Sequence, residues 1–197
     1  MNKLTVALVL SFAPILVAAK GVDIEAGRAD FETCRGCHSV PHYSNAYPTY
    51  NVPKVGGQVS GYVASALQAY RAGQRPHGTM KANAWNLTDS SIENIAAYLE
   101  KTAGNANAEN FTGDVVAGKK LAEACSSCHK GKKEAQGGNI PVLAGQYENY
   151  LYKVMKDYQG GKRNNALMQS MVQSFSDADL KNIAAYFASQ KGLASSQ

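Results

Sequence analysis

Only four cysteines and a single tryptophan stand among the 197 residues of this chain, and it has little in the way of long apolar runs. So few cysteines exclude a disulfide-dense scaffold. One apolar stretch, Leu4 to Ala19, approaches the length of a bilayer span, and no later segment could cross a membrane. A polytopic membrane protein is therefore excluded. Nor does any stretch alternate apolar and polar residues as a half-buried strand does, so a sheet-based architecture lacks its signal. What the chain does have is a pattern in those few cysteines.

All four fall in two C-x-x-C-H motifs, Cys34-Arg35-Gly36-Cys37-His38 and Cys125-Ser126-Ser127-Cys128-His129. Two thiols at this spacing reach the two vinyl groups of one porphyrin, and the next residue presents an imidazole to the iron. A zinc knuckle, a thioredoxin-like redox pair or a structural disulfide would not need the histidines. A single four-cysteine zinc site would also have to join pairs 91 positions apart. The motifs therefore predict two covalently bound haem c groups, through Cys34 and Cys37 and through Cys125 and Cys128, with His38 and His129 as iron ligands.

The chain repeats itself around these motifs. Asp23-Ile24-Glu25-Ala26-Gly27 falls on Asp114-Val115-Val116-Ala117-Gly118 at an offset of 91. After a three-residue difference the offset settles at 88. Pro53 through Gln58 then falls on Pro141 through Gln146, Tyr62 on Tyr150, Tyr70 on Tyr158, and Ile95-Ala96-Ala97-Tyr98 on Ile183-Ala184-Ala185-Tyr186. This is the mark of a tandem duplication. It gives a first domain over 20–101, a polar Asn- and Gly-rich linker over 102–113 and a second domain over 114–197. Each unit of about 80 residues is small for an apolar core alone, so the haem serves as buried surface too.

Apolar spacing predicts an all-α fold, with helices from about Asp23 into the first motif, from about Ser60 to Ala72 and from about Asp89 to Lys101, each repeated in the second unit. Thr88 and Ser176 have the sequence of N-caps. The repeat also selects the second axial ligands. Met80 falls on Met168, and each lies eight residues before its helix cap, where a loop could carry it to the distal side of the haem. Met171 has Asn83 as counterpart, and Met155 reads as core. His42 and His77 are not repeated and read as surface or loop residues, with His77 the alternative ligand to Met80. Each proximal histidine needs an acceptor for its second ring nitrogen, and the candidates are the carbonyls of Pro53 and Pro141.

Residues 1–19 read as a signal peptide: Lys3, then the apolar stretch, then the small residues Val17 and Ala19 where a signal peptidase cuts. The competing reading is a retained membrane anchor. A periplasmic location makes nucleic acid an improbable partner. From Lys20 to Asn105 there are eight basic and seven acidic residues, and from Ala106 to Gln197 eleven and eight. Lys119, Lys120, Lys130, Lys132 and Lys133 crowd the second motif and could steer an acidic partner there, or simply form a solvated face.

These motifs, with the Pro-x-x-x-Gly-Gln segments, Gly160-Gly161-Lys162-Arg163 before Met168, and Ile183 to Phe187, resemble the dihaem cytochrome c4 family. The resemblance implies two tandem class I cytochrome c domains about a pseudo-twofold axis, His/Met-ligated haems with propionates near the interface, and electron exchange between them. It further implies single-electron transport, without catalysis, from a periplasmic copper protein or another cytochrome to a terminal haem-copper oxidase, at times at the membrane surface. Two other readings stand beside it: an enzyme such as a dihaem peroxidase or thiosulfate-oxidising cytochrome, and the haem subunit of a flavocytochrome c sulfide dehydrogenase. The tyrosine-rich segment Pro41 to Tyr50 departs from the Gly-rich loop usual in that family.

Overall fold

The computed structural model describes residues 21–102, 110–129 and 138–195; the signal peptide expected over 1–19, most of the expected linker, and Lys130, Lys132 and Lys133 lie outside them. The first half holds α1 (Ile24–Asp30), α2 (Glu32–His38), α3 (Ser60–Arg71), α4 (Gly78–Ala84) and α5 (Asp89–Lys101), and the second α6 (Val115–Leu121), α7 (Glu123–His129), α8 (Glu148–Gln159), α9 (Ala166–Val172) and α10 (Asp177–Ser189). Between α2 and α3 two-residue strands, β1 (Ser44–Asn45) and β2 (Tyr50–Asn51), pair antiparallel with Ser44 opposite Asn51. That strand pair is absent from the sequence expectation, because two residues are too few to show alternation.

Each half is built on the same helix crossing. The Asp23 carboxylate caps α1 by accepting from Ala26 N–H at 3.0 Å, and Asp114 does the same for α6 from Val116 and Ala117. The backbone N–H groups of Asp23 and Asp114 donate to the side-chain oxygens of Asn94 and Asn182, both at 2.8 Å. The caps thereby lash the first helix of each half to its last. Contact is close enough to require glycine: a β-carbon on Gly27 would lie 2.0 Å from the Asn94 carbonyl oxygen, and one on Gly118 would lie 1.9 Å from that of Asn182. Gly27→Ala or Gly118→Ala is expected to cost at least about 1–3 kcal/mol. Thermal unfolding followed by circular dichroism should show a fall of roughly 2–4 °C per kcal/mol.

Phe31, Val63, Leu67, Ile92, Ile95 and Leu99 make the first core, and Ala122, Leu151, Ile183, Ala184 and Phe187 the second. Phe31 also explains why the opening helix is not continuous: it turns into the core at 3% exposure, splitting the expected helix into α1 and α2. Thr88 and Ser176 cap α5 and α10 through their hydroxyls, Ser176 in a full capping box with Asp179.

A third apolar cluster, Val59, Val142 and Leu193, joins the halves. Beside it the C-terminal segment crosses to the first half, where Ala194 and Gly56 exchange backbone hydrogen bonds of 3.0 and 2.9 Å. The tyrosine-rich segment reaches the other way. His42 N–H donates to the Tyr147 hydroxyl at 2.8 Å, and Asn51 and Asn149 exchange bonds of 3.2 and 2.8 Å.

Candidate haem sites

His38 is the last residue of α2, so the chain leaves that helix at the imidazole, and His129 lies on α7 at the matching place in its motif. His38 Nδ1 lies 2.9 Å from the Pro53 carbonyl oxygen, and His129 Nδ1 lies 2.8 Å from that of Pro141. A carbonyl can only accept, so Nδ1 carries the hydrogen and Nε2 keeps its lone pair for a metal. Burial pushes both imidazoles below the ordinary histidine range, partly opposed by those carbonyls, which favours the neutral, ligating form.

The four thiols are unpaired. Burial raises Cys34 and Cys125 above the usual thiol range. Among the described residues no group of three or more His, Cys, Asp or Glu side chains could hold a metal ion.

One cavity runs through both halves. It is lined by His38, Cys34, Pro53 and Met80 from the first, and by His129, Cys125, Cys128, Pro141, Met168 and Met171 from the second, with apolar walls from Val63, Leu67, Ile95, Leu151, Ile183 and Phe187. Met155 belongs to this wall and to the second core. The two methionines differ from expectation in one respect: Met80 and Met168 sit on α4 and α9, not in loops. Each helix is seven residues long and is capped from the third position before its methionine. The caps are His77 Nδ1, accepting from Met80 N–H at 3.2 Å, and Asn165 Oδ1, accepting from Met168 N–H at 3.0 Å. His77 Nε2 meets the Tyr50 hydroxyl at 3.1 Å, so both its ring nitrogens are engaged within the protein. It does not line the cavity that Met80 lines.

Where the halves meet, the cavity is polar. Arg75 donates to the hydroxyls of Tyr62 (3.4 Å) and Tyr150 (3.2 Å), Arg163 donates to Tyr62 at 2.8 Å, and the two guanidiniums lie over the rings of Tyr70 and Tyr158. Burial alone would raise Tyr62, but the two guanidiniums outweigh it and bring the phenol down to about 8. Sequence reasoning passed over this cluster. Its signal was the 88-residue offset that also pairs Arg75 with Arg163. Of the basic residues near the second motif, Lys119 and Lys120 are exposed on α6.

The set fits two haem c groups. Each half offers two free thiols and, lining one apolar cavity, an imidazole held by a carbonyl and a thioether; Arg75 and Arg163 line the same cavity and would supply cations for porphyrin carboxylates. A family model for cytochrome c matches residues 115–191. Cytochrome c-554(548) of Halomonas halodenitrificans is 39% identical over 82 residues, which span 40% of this chain and 99% of that protein.

The chain belongs to the cytochrome c family.

Its two-domain form is that of the cytochromes c4. Cytochrome c4 of Pseudomonas aeruginosa is 43% identical over 100 residues, 51% of this chain, and the chain spans only 50% of the length of that relative. The solved cytochrome c4 of Acidithiobacillus ferrooxidans superposes with a TM-score of 0.68 at 26% identity, covering 81% of this chain and 99% of that one. A protein named thiosulfate dehydrogenase electron acceptor, from Stutzerimonas stutzeri, is 28% identical over 79% of this chain and 77% of its own length. The chain is thus a dihaem cytochrome c with two tandem class I domains.

Proposed function

We propose that the protein carries single electrons in the periplasm from respiratory donors to a terminal oxidase, one haem in each of the domains 20–101 and 114–197. One observation carries this reading: in both halves a carbonyl-fixed histidine and a methionine line the same cavity. His38 and Met80 would hold one iron and His129 and Met168 the other, which would leave no position for a substrate to coordinate. A bound haem would supply the ferrous/ferric couple, while the chain's apolar walls would exclude water from it and a methionine ligand would set a potential suited to an oxidase. The enzyme readings require an open or displaceable ligand, and the matching of Met80 with Met168 weighs against that.

The donor is a copper protein or another cytochrome, and the acceptor a haem-copper oxidase at the membrane surface. Among the described residues no helix is long and apolar enough to cross a membrane. The relative named as an acceptor for thiosulfate dehydrogenase supports a second donor assignment with the same carrier role. To test the function, the reduced protein is mixed with oxidase-containing membranes, and the chain alone is given thiosulfate and ferricyanide. Cyanide-sensitive reoxidation with no ferricyanide reduction is expected. Thiosulfate-dependent turnover by the chain alone would make it an enzyme, and a tightly co-purifying flavoprotein would make it a subunit.

A further inference from the structure

Gln58 and Gln146 are 5% and 4% exposed, and buried amides of this kind need partners for both ends. Each finds them in the opposite half. The Gln58 side chain accepts from Val142 N–H at 2.8 Å and donates to the Val142 carbonyl at 3.1 Å, while Gln146 accepts from Lys54 N–H at 2.9 Å and donates to the Lys54 carbonyl at 2.8 Å. The two residues gripped are those that follow Pro141 and Pro53. Val142 N–H therefore belongs to the same peptide group as the Pro141 carbonyl that receives His129 Nδ1–H, and Lys54 N–H to the same peptide group as the Pro53 carbonyl that receives His38 Nδ1–H.

A peptide that donates through its N–H becomes a better acceptor at its oxygen, because chained hydrogen bonds polarise one another. A better acceptor draws the Nδ1 hydrogen more strongly and makes Nε2 a more basic metal ligand. We infer that Gln58 and Gln146 are crossed positioning residues: the glutamine of each domain fixes and polarises the peptide that sets the proximal histidine of the other domain. The chains run Gln58, Val142–Pro141 peptide, His129, and Gln146, Lys54–Pro53 peptide, His38. Each iron's ligand strength is thereby set partly by the opposite domain, through two separate chains of three hydrogen bonds, two at the glutamine and one at the imidazole in each. This rests on His38 and His129 being the proximal ligands of the carrier proposed above.

The test uses the full-length holoprotein with Gln58→Met or Gln146→Met, substitutions close in volume that remove both bonds to the opposite half together with the one each Oε1 accepts within its own half, from Val59 N–H at 2.9 Å or Tyr147 N–H at 3.1 Å. Midpoint potentials of the two haems are measured separately by redox titration followed by NMR, with haem methyl signals assigned through contacts to each motif. Gln58→Met should raise the midpoint of the haem at Cys125 and Cys128 and leave the other in place; Gln146→Met should do the reverse. Gln58→Glu keeps an oxygen acceptor for Val142 N–H, so the second midpoint should return to the parent value or fall below it. Should the methionine variants fail to retain both haems, Gln58→Glu alone decides: an upward shift of the second midpoint, or a shift confined to the first haem, overturns the inference. So would a methionine variant that moves its own domain's haem, moves both equally or moves neither. Carbon monoxide binding by one iron, in contrast, would overturn the closed-carrier reading and leave the crossed effect standing.

Discussion

Met168→Ala is expected to convert a protein that takes up no carbon monoxide into one that binds a single molecule per chain, at the second haem, and Met80→Ala to do the same at the first. On the proposed ligation the thioether would take the position that the gas needs, and a methionine ligand raises the potential, so the opened site should show a lowered midpoint. The structure sharpens the test in the second half, where both Met168 and Met171 line the cavity. Met168 has the Asn165 cap and the 88-residue counterpart, and Met171 has neither, so Met171→Ala should leave that site closed. Optical titration of the dithionite-reduced variants with carbon monoxide reads the difference directly. Uptake by Met171→Ala with none by Met168→Ala would move the ligand one turn along α9.

The second large effect concerns folding. Cys125→Ser with Cys128→Ser should reduce the haem content from two to one per chain and melt most of α6 to α10, because a unit of about 80 residues without its porphyrin lacks enough buried apolar surface. The first half should survive with lowered stability, since Gly56, Gln58 and Val59 lose partners that come from the second. Pyridine haemochrome counts the haem, and far-ultraviolet circular dichroism reads the lost helix. Full retention of helix in the variant would show that the apolar core of that half suffices by itself.

The four longer helices, their caps at Thr88 and Ser176 and the pairing of Met80 with Met168 were legible in the sequence, because thirteen-residue helices such as α5 and α10 show several turns of apolar spacing. The seven-residue α4 and α9 were not. Each is too short for a period to emerge, and each is started by a local cap, His77 or Asn165, whose effect depends on where the backbone turns. The prolines that orient the histidines were legible as candidates because they recur downstream of each motif. The roles of Gln58 and Gln146 were hidden, although the residues recur in register. A glutamine is usually exposed, and nothing in a linear chain says that its amide mates with a peptide in the other half. The same holds for Arg75 and Arg163, whose tyrosine partners are partly supplied across the interface.

The measurement that bears most directly on a closed two-haem carrier is the optical spectrum of the purified ferric protein, followed by carbon monoxide addition to the reduced form. Methionine-to-iron charge-transfer absorption equivalent to two haems per chain, with no gas uptake, is the predicted result. One haem that lacks the band and binds carbon monoxide would contradict the ligand set His38, Met80, His129 and Met168 and make that site a place for substrate chemistry.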